Sequence, residues 1–453
     1  MRVFLLFLVF AFSIGFGGNV DAEIPMILPL KQQAQVIDRL LEDKVKTVLP
    51  EIMRKNDIDM WIVMAREYNE DPVIRTMLPA IWHAARRRTV LVMYDAGDDL
   101  GVETLAVARY DVGTVFKKSW DKDLQPNQWA RLVEIIEQKK PGKIGLNYSN
   151  HYGQADGLTY AEHQAFLNAL PKKYHKKIVS AETLAVNWLE TRTPSEMVIY
   201  PQIVNMAHNI LAEGLSEVAI QPGVTTTEDL VWWYREKIQS LMLDTWFHPS
   251  VSIQRADKEK FDHLQTFDKR PAENIIQPGD LIHVDFGITY MRFNTDTQQH
   301  AYVLKPGEHD VPDYLKQALK NANRLQDIFT GNFKVGRTGN DVLAMSREQA
   351  INEGIKPAIY THPIGYYGHA AGTTLGMWDS QGGVPHTGDH PLHANTAYAI
   401  ELNASTFIKQ WDKEIRIMLE EDAFFDGEQV QYLNGRQKQF HLIPRQNKPI
   451  LGN

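Results

Sequence analysis

Six side chains in the second half of this chain, Asp285, Asp296, His362, His369, Glu401 and Glu420, combine a type that holds metal ions or moves protons with a place in or beside an apolar or glycine-marked run. Asp285 sits in the apolar run Leu281-Ile282-His283-Val284-Asp285-Phe286. Asp296 follows eleven residues later, at the start of a second run, residues 295–304. If the runs pair as a hairpin centred on residues 290 and 291, Asp285 lies directly opposite Asp296, with Cβ atoms about 5 Å apart. Like charges repel at that distance. Either a cation lies between them, one ion or a pair sharing the carboxylates, or both are ordinary acids at strand ends. Three later segments carry similar chemistry. His362-Pro363-Ile364-Gly365 leads into Tyr366-Tyr367-Gly368-His369, and the apolar run Ala397-Tyr398-Ala399-Ile400 ends on Glu401. In residues 415–422, strand alternation puts Arg416, Met418 and Glu420 on one face. An acid that closes an apolar strand calls for a partner. Singly, each segment has a plainer reading as a packed histidine or a solvated acid. The chain has no cysteine, which excludes disulfides, thiolate zinc sites, iron–sulfur clusters and a cysteine nucleophile. Any metal must rest on His, Asp and Glu.

These residues need strands and helices to position them. The turn Gln277-Pro278-Gly279-Asp280 opens the first strand, and Tyr290-Met291-Arg292-Phe293-Asn294 connects it to the second. Upstream, Thr193-Pro194-Ser195-Glu196 reads as a capping box that starts a helix. Pro201 then predicts a kink or a restart. A domain boundary is expected near Trp188. Before it, apolar residues at helical spacing over 32–53 predict a helix that Pro50 ends or kinks. Strands are predicted at residues 59–64, 89–94, 104–109 and 143–146, and helices at 127–138 and 160–170. Strands interleaved with helices define an α/β domain. No nucleotide-binding glycine loop is visible in it. Arg86-Arg87-Arg88 reads as a solvated face or an oligomer contact, with a substrate-carboxylate role as the alternative.

Of the 453 residues, 43% are hydrophobic and 23% charged, and the formal net charge is −8. That is the composition of a globular chain, and its charge opposes a general nucleic-acid-coating surface. Met1-Arg2, the apolar residues 3–16 and the small-x-small pattern Val20-Asp21-Ala22 read as a secretory signal peptide, residues 1–22. The apolar run is shorter than the ~20 residues of a membrane span. No stable membrane anchor is expected after signal cleavage. The expected location is exported, periplasmic or secreted. An accessory α/β domain would then cover residues 23–188 and a catalytic domain residues 189–453.

Together the acids and histidines resemble the pita-bread metallopeptidases, the family of methionine aminopeptidase, aminopeptidase P and prolidase. That family binds two metals through Asp, Asp, His, Glu and Glu in this chain order, its two Asp eleven positions apart. Its ligand His is followed by a two-residue gap and Gly, and seven positions later by a second His, as are His362, Gly365 and His369 here. The resemblance implies metal ligands Asp285, Asp296, His362, Glu401 and Glu420, with Glu421 the alternative to the last. It implies catalytic roles for His369 at the oxyanion and for Glu401, or Glu420, in proton relay. Arg416 is added because a related Arg lies near the ligand in aminopeptidase P. A substrate-binding histidine is also implied, His263 or its rival His248. His283 shares the strand face of Asp285 and either supports a ligand or simply packs. The implied fold is an α/β N-terminal domain of creatinase/prolidase type plus an α+β pita-bread catalytic domain. The chain departs from the pattern at Pro363, Ala370-Ala371, Leu402-Asn403 and Met418, and residues 378–393 look like an insertion beside the site.

Four carboxylates and two divalent cations cancel in charge. Such a pair lowers the pKa of bound water and polarises a carbonyl. Oxygen-rich ligation with one imidazole suits Mn, Zn, Co or Fe. The expected function is an exported dinuclear peptidase that hydrolyses Xaa-Pro bonds by a metal-bridging hydroxide, as an aminopeptidase or a dipeptidase. A peptide substrate and a homo-oligomer are expected, and no nucleic-acid partner. The alternatives are a creatinase-like small-molecule amidohydrolase and a non-catalytic binding protein on a peptidase scaffold. Tyr366, Tyr367 and Trp378 read either as a wall for a proline ring or as plain core.

Overall fold

A computed structural model of the protein describes residues 26–97, 101–258 and 274–446. The expected signal peptide and His263 lie outside the described residues. The first sheet holds β1 (Met60–Arg66), β2 (Arg88–Asp95), β3 (Val102–Val107), β4 (Lys117–Lys118), β5 (Ile144–Leu146) and β6 (Ile178–Ser180), in the order β4-β3-β2-β1-β5-β6. Strands β1, β2 and β3 pair antiparallel, and β5 and β6 extend from β1 in parallel. Strand β1 is covered on both faces, which explains its unbroken apolar run. Trp61 and Val63 pack with Leu49 and Met53 of the helix Leu30–Lys55. Met60, Ile62 and Met64, alternating with them, pack with Leu132 and Ile136 of the helix Gln128–Lys139.

Neither proline ends its helix, which corrects the expected end at Pro50 and the expected restart at Pro201. The first helix runs through Pro50 to Lys55. Proline removes one hydrogen bond there, but Ile52 and Met53 behind it are buried in the core, so packing holds the last turn. Pro201 likewise lies inside one continuous helix, Pro194–Gly214, which starts at the Thr193–Glu196 capping box. Among the described residues no helix is long and apolar enough to cross a membrane.

The second sheet has nine strands. These are β7 (Ser250–Gln254), β8 (Leu281–Phe286), β11 (Thr297–Val303), β12 (Lys356–Ile359), β13 (His362–Pro363), β14 (Thr396–Ile408), β15 (Lys413–Phe425), β16 (Val430–Tyr432) and β17 (His441–Ile443); β9 (Thr289–Tyr290) and β10 (Phe293–Asn294) form a ribbon between β8 and β11. The main path is β12-β14-β15-β11-β8-β7, with β13 on β14, β16 on β15 and β17 on β11. The helices Pro194–Gly214 and Thr227–Ser240 bury Ile203, Leu211 and Tyr234 against Val284 and Phe286. The helices Asp313–Gly331 and Gly339–Asn352 bury Leu315, Leu325 and Val342 against Leu402 and Leu419. These strand residues alternate with Asp285, Glu401 and Glu420. The acids therefore face away from both helix pairs.

The hairpin register differs from the reading of the sequence. Phe293 pairs with Tyr290, so the centre falls between Met291 and Arg292. Both have positive φ, 48° and 72°, as a two-residue primed turn requires. Moving the centre by one position moves the pairing by two, and Asp285 opposes Gln298 rather than Asp296. A two-residue shift keeps every side chain on its face, so Asp296 stays on the Asp285 side as a diagonal neighbour. Arg292 Nη1 donates to Leu78 O at 2.9 Å, and the Tyr290 hydroxyl accepts from Leu28 N at 2.9 Å. The hairpin tip is thus tied to the N-terminal layer.

Candidate metal centre

One cross-sheet row runs over four strands. Asp285 on β8 opposes Gln298 on β11, Gln298 opposes Glu420 on β15, and Glu420 opposes Glu401 on β14. Two residues along, Ala399 on β14 opposes Asp422 on one side and His362 on the other. The Asp296 backbone N–H donates to the Asp422 carboxylate at 3.2 Å. The two rows gather Asp285, Asp296, His362, Glu401 and Glu420. His362 Nε2 lies 3.6 Å from Asp296 Oδ2 and 3.5 Å from Glu420 Oε1. Its Nδ1 lies 3.0 Å from Pro363 O. A carbonyl only accepts, so the neutral ring carries its proton on Nδ1 and offers the Nε2 lone pair to the cluster. Glu421 points to the opposite face, where Oε2 lies 2.8 Å from His208 Nε2 and Oε1 accepts from Gln299 at 3.0 Å.

Burial pushes Asp285, Asp296 and Glu401 well above the usual carboxylate range, and the charge of Glu420 adds to it. Burial opposes charge on His362, but Glu420 and Glu401 lift it to about 9. Asp285 Oδ1, Asp296 Oδ1, His362 Nε2 and Glu420 Oε1 are buried with no hydrogen-bond partner. Native interiors leave few such atoms unsatisfied. Lone pairs converging without donors fit divalent cations. Gln298 is the donor inside the row: Nε2 gives one hydrogen bond to Glu420 Oε2 at 2.8 Å and one to Glu401 Oε1. Its Oε1 lies 2.9 Å from His283 Nε2, so His283 orients the amide.

Without ions this cluster holds protons, which incoming metals must displace. Metal affinity is therefore expected to fall as pH falls below about 9, the value to which His362 is lifted, with protons released on loading. Calorimetric titration in buffers of different ionisation enthalpy counts those protons. An affinity independent of pH would contradict this electrostatic account.

The ring of His369 stands 4.6 Å from that of His362 and 5.1 Å from that of Trp246, edge to face in both cases. Partial burial and the neighbouring His362 depress it to about 4, so the imidazole is neutral near pH 7. Gly368 permits the approach of Trp246, since a Cβ there would stand 2.3 Å from the indole. Arg416 stands further along the same strand face: the rise of β15 sets its Cα about 13 Å from that of Glu420. It faces Ser405 and, with Tyr360, Trp378 and Asn403, lines a cavity of about 560 Å³. None of the clustered acids, nor His362, lines this cavity; of its lining, Asn403 is two residues from Glu401 on β14 and Tyr360 N donates to the Glu401 carbonyl at 3.1 Å. His248 packs on Trp232, with Nδ1 3.1 Å from Arg235 Nη1.

Tyr366 and Tyr367 are packing groups. The Tyr366 hydroxyl donates to Glu196 and its ring lies under Lys44 and Arg192, at 4.7 and 4.6 Å. The Tyr367 hydroxyl donates to Pro72 O at 2.7 Å. Gln298, Asp422 and Trp246 were not read from the sequence. The first two stand two residues from Asp296 and Glu420, a signal that only the correct register turns into a contact.

The architecture is of the pita-bread class, with an N-terminal α/β layer ahead of it. Residues 202–424, just under half of the chain, match the model of metallopeptidase family M24. The fold is similar to that of X-Pro aminopeptidase from Thermotoga maritima MSB8, at 16% identity and a TM-score of 0.60, over 86% of this chain and 99% of that one. It is also similar to Xaa-Pro dipeptidase from Bacillus anthracis, at 16% identity and 0.55, over 91% and 100%. An aminopeptidase P variant from Escherichia coli gives 11% identity and 0.57, over 88% and 94%. The uncharacterized peptidase YqhT of Bacillus subtilis (strain 168) is 27% identical over 131 residues, which span 27% of this chain and a third (33%) of that relative's length.

Proposed function

We propose that the protein is a dinuclear metal-dependent peptidase that cleaves Xaa-Pro bonds. The observation carrying this reading is a shared acid. Ligand atoms of His362, Glu401 and Glu420 lie within 4.8 Å of one another, as do those of Asp285, Asp296 and Glu420. Two donor groups that share one carboxylate would hold two cations, with Glu420 common to both groups. Such cations, Mn, Zn, Co or Fe by donor type, supply an activated water and a polarised carbonyl when bound. The chain's own residues do the rest. The neutral His369 imidazole, packed by Trp246, donates to the carbonyl oxygen as it gains charge. Glu401 takes a proton from the attacking water and returns it to the leaving nitrogen. Gln298 holds Glu401 and Glu420 together, and Asp422 braces the backbone of Asp296. The cavity with Trp378, Asn403 and Arg416 receives the substrate beside the cleaved bond. Export through residues 1–22 is part of the same reading. N-terminal sequencing of the mature protein, expected to begin near Glu23, tests it.

The nitrogen of an Xaa-Pro bond carries no hydrogen, and the ring fixes φ. A site that fixes the carbonyl by cations and His369 needs no grip on that N–H. The X-Pro aminopeptidase and Xaa-Pro dipeptidase that share the fold support this preference. Xaa-Pro peptides are expected to be cleaved faster than matched Xaa-Ala peptides under saturating metal, as read by release of the N-terminal residue. Equal rates would leave only a metal-dependent hydrolase. Comparing dipeptides with longer peptides separates dipeptidase from aminopeptidase.

A further inference from the structure

A second group of metal-type side chains lies outside this centre. Glu190 closes the helix Glu182–Glu190 of the N-terminal layer and is buried. His390 and His393 come from the loop of residues 378–393. His390 Nε2 lies 3.3 Å from Glu190 Oε1, and His393 Nε2 lies 3.9 Å from the same oxygen. The two rings meet edge to face at 5.2 Å, and the three ligand atoms all lie within 4.8 Å of one another.

Two observations point to an ion rather than to hydrogen bonding alone. A separation of 3.9 Å is too long for an N–H···O bond. Two ligands of one tetrahedral ion with ~2.0–2.1 Å bonds stand about 3.3 Å apart, so a small closure suffices. Glu190 Oε2 is also buried with no hydrogen-bond partner. Apart from the imidazoles, among the described residues Oε1 accepts only from the neutral Asn187 amide, at 2.8 Å. A buried carboxylate is costly without a cation. The exposed Lys55 reaches Nδ1 of His393, at 3.2 Å. When Nε2 binds an ion, Nδ1 carries the proton and this lysine turns to solvent.

We propose that Glu190, His390 and His393 form a separate site for a single transition-metal ion of zinc type. Two imidazoles and one carboxylate are a zinc donor set with a fourth position open. The site stands directly behind the catalytic segment. A Cβ on Gly372, three residues past His369, would lie 2.7 Å from Glu190 Oε2 and 2.9 Å from Pro363 Cγ. The Tyr152 hydroxyl donates to Gly372 O at 3.2 Å. His386 of the same loop stacks on His151 at 4.0 Å. An ion there ties the loop, and through Gly372 the segment carrying His362 and His369, to the N-terminal layer.

The test is a cobalt titration of the metal-stripped full chain in a Glu420→Ala background, which disables the first centre, read by equilibrium dialysis and visible absorption. The Glu420→Ala protein is expected to bind one equivalent of Co²⁺ that Zn²⁺ displaces. Adding His390→Ala and His393→Ala is expected to remove that equivalent. No Co²⁺ bound by Glu420→Ala, or the same amount bound after the histidine changes, overturns the site. If the triple variant does not fold, His393→Gln in the same background is expected to weaken Co²⁺ binding by at least ~10-fold, the lower end of what loss of even an outer partner costs. Unchanged affinity there overturns the proposal as well.

Discussion

Glu420→Ala is expected to empty both cation positions of the acidic row and to lower peptide release by at least ~10³-fold. That exceeds the ~10²–10³ that a single oxyanion donor contributes. The reason is geometric. Glu420 is the residue common to the His362–Glu401 and Asp285–Asp296 donor groups, so its loss opens both. Asp296→Ala, by comparison, is expected to empty at least one position. The fold should tolerate Glu420→Ala. After burial, the charge of Glu420 is the largest of the effects that raise Asp285, Asp296 and Glu401, and removing it relieves like-charge repulsion in the ion-free protein. Metal analysis after dialysis, with an unfolding curve on the same sample, reads both effects. A variant with unchanged metal content and turnover would remove Glu420 from the site.

His369→Ala is the complementary case. It is expected to keep its metals while kcat falls by ~10²–10³, the usual loss for one oxyanion donor. The geometry makes this a sharp distinction, because His369 also comes within 4.8 Å of Asp296 and His362. A ligand would take a metal with it when removed; an oxyanion donor would not. The depressed pKa of His369, about 4, adds that the wild-type rate shows no titration of this group near neutral pH. Loss of metal from His369→Ala would make it a ligand and leave the oxyanion without its donor.

The residue types of the candidate centre were legible because strand alternation and chain order are local properties. Asp285, Glu401 and Glu420 each follow or interrupt an apolar run, and the structure puts all three on one face. What was not legible is what depends on register. The hairpin turn uses Met291 and Arg292 at positive φ, with none of the Asn or Gly that normally marks such a turn. The opposition of Asp285 to Gln298, and with it the amide clamp on two acids, could not be read without that turn. The tyrosines after His362, read either as a wall for a proline ring or as plain core, are a different case. They are aromatic and close in sequence to two candidate site histidines, yet the buried Lys44 and Arg192 claim the face of Tyr366, contacts between residues far apart in the chain that leave no mark on local sequence. Pro50 and Pro201 show the reverse: a local breaking signal overruled by burial of the residues beyond it.

The central claim, two cations sharing Glu420, is tested most directly by anomalous diffraction from crystals of the full chain loaded with Mn²⁺. The account predicts two peaks about 3.5–4 Å apart, both within bonding distance of Glu420, one beside His362 and Glu401 and the other beside Asp285. A single peak, or peaks that leave Glu420 uncoordinated, would contradict it.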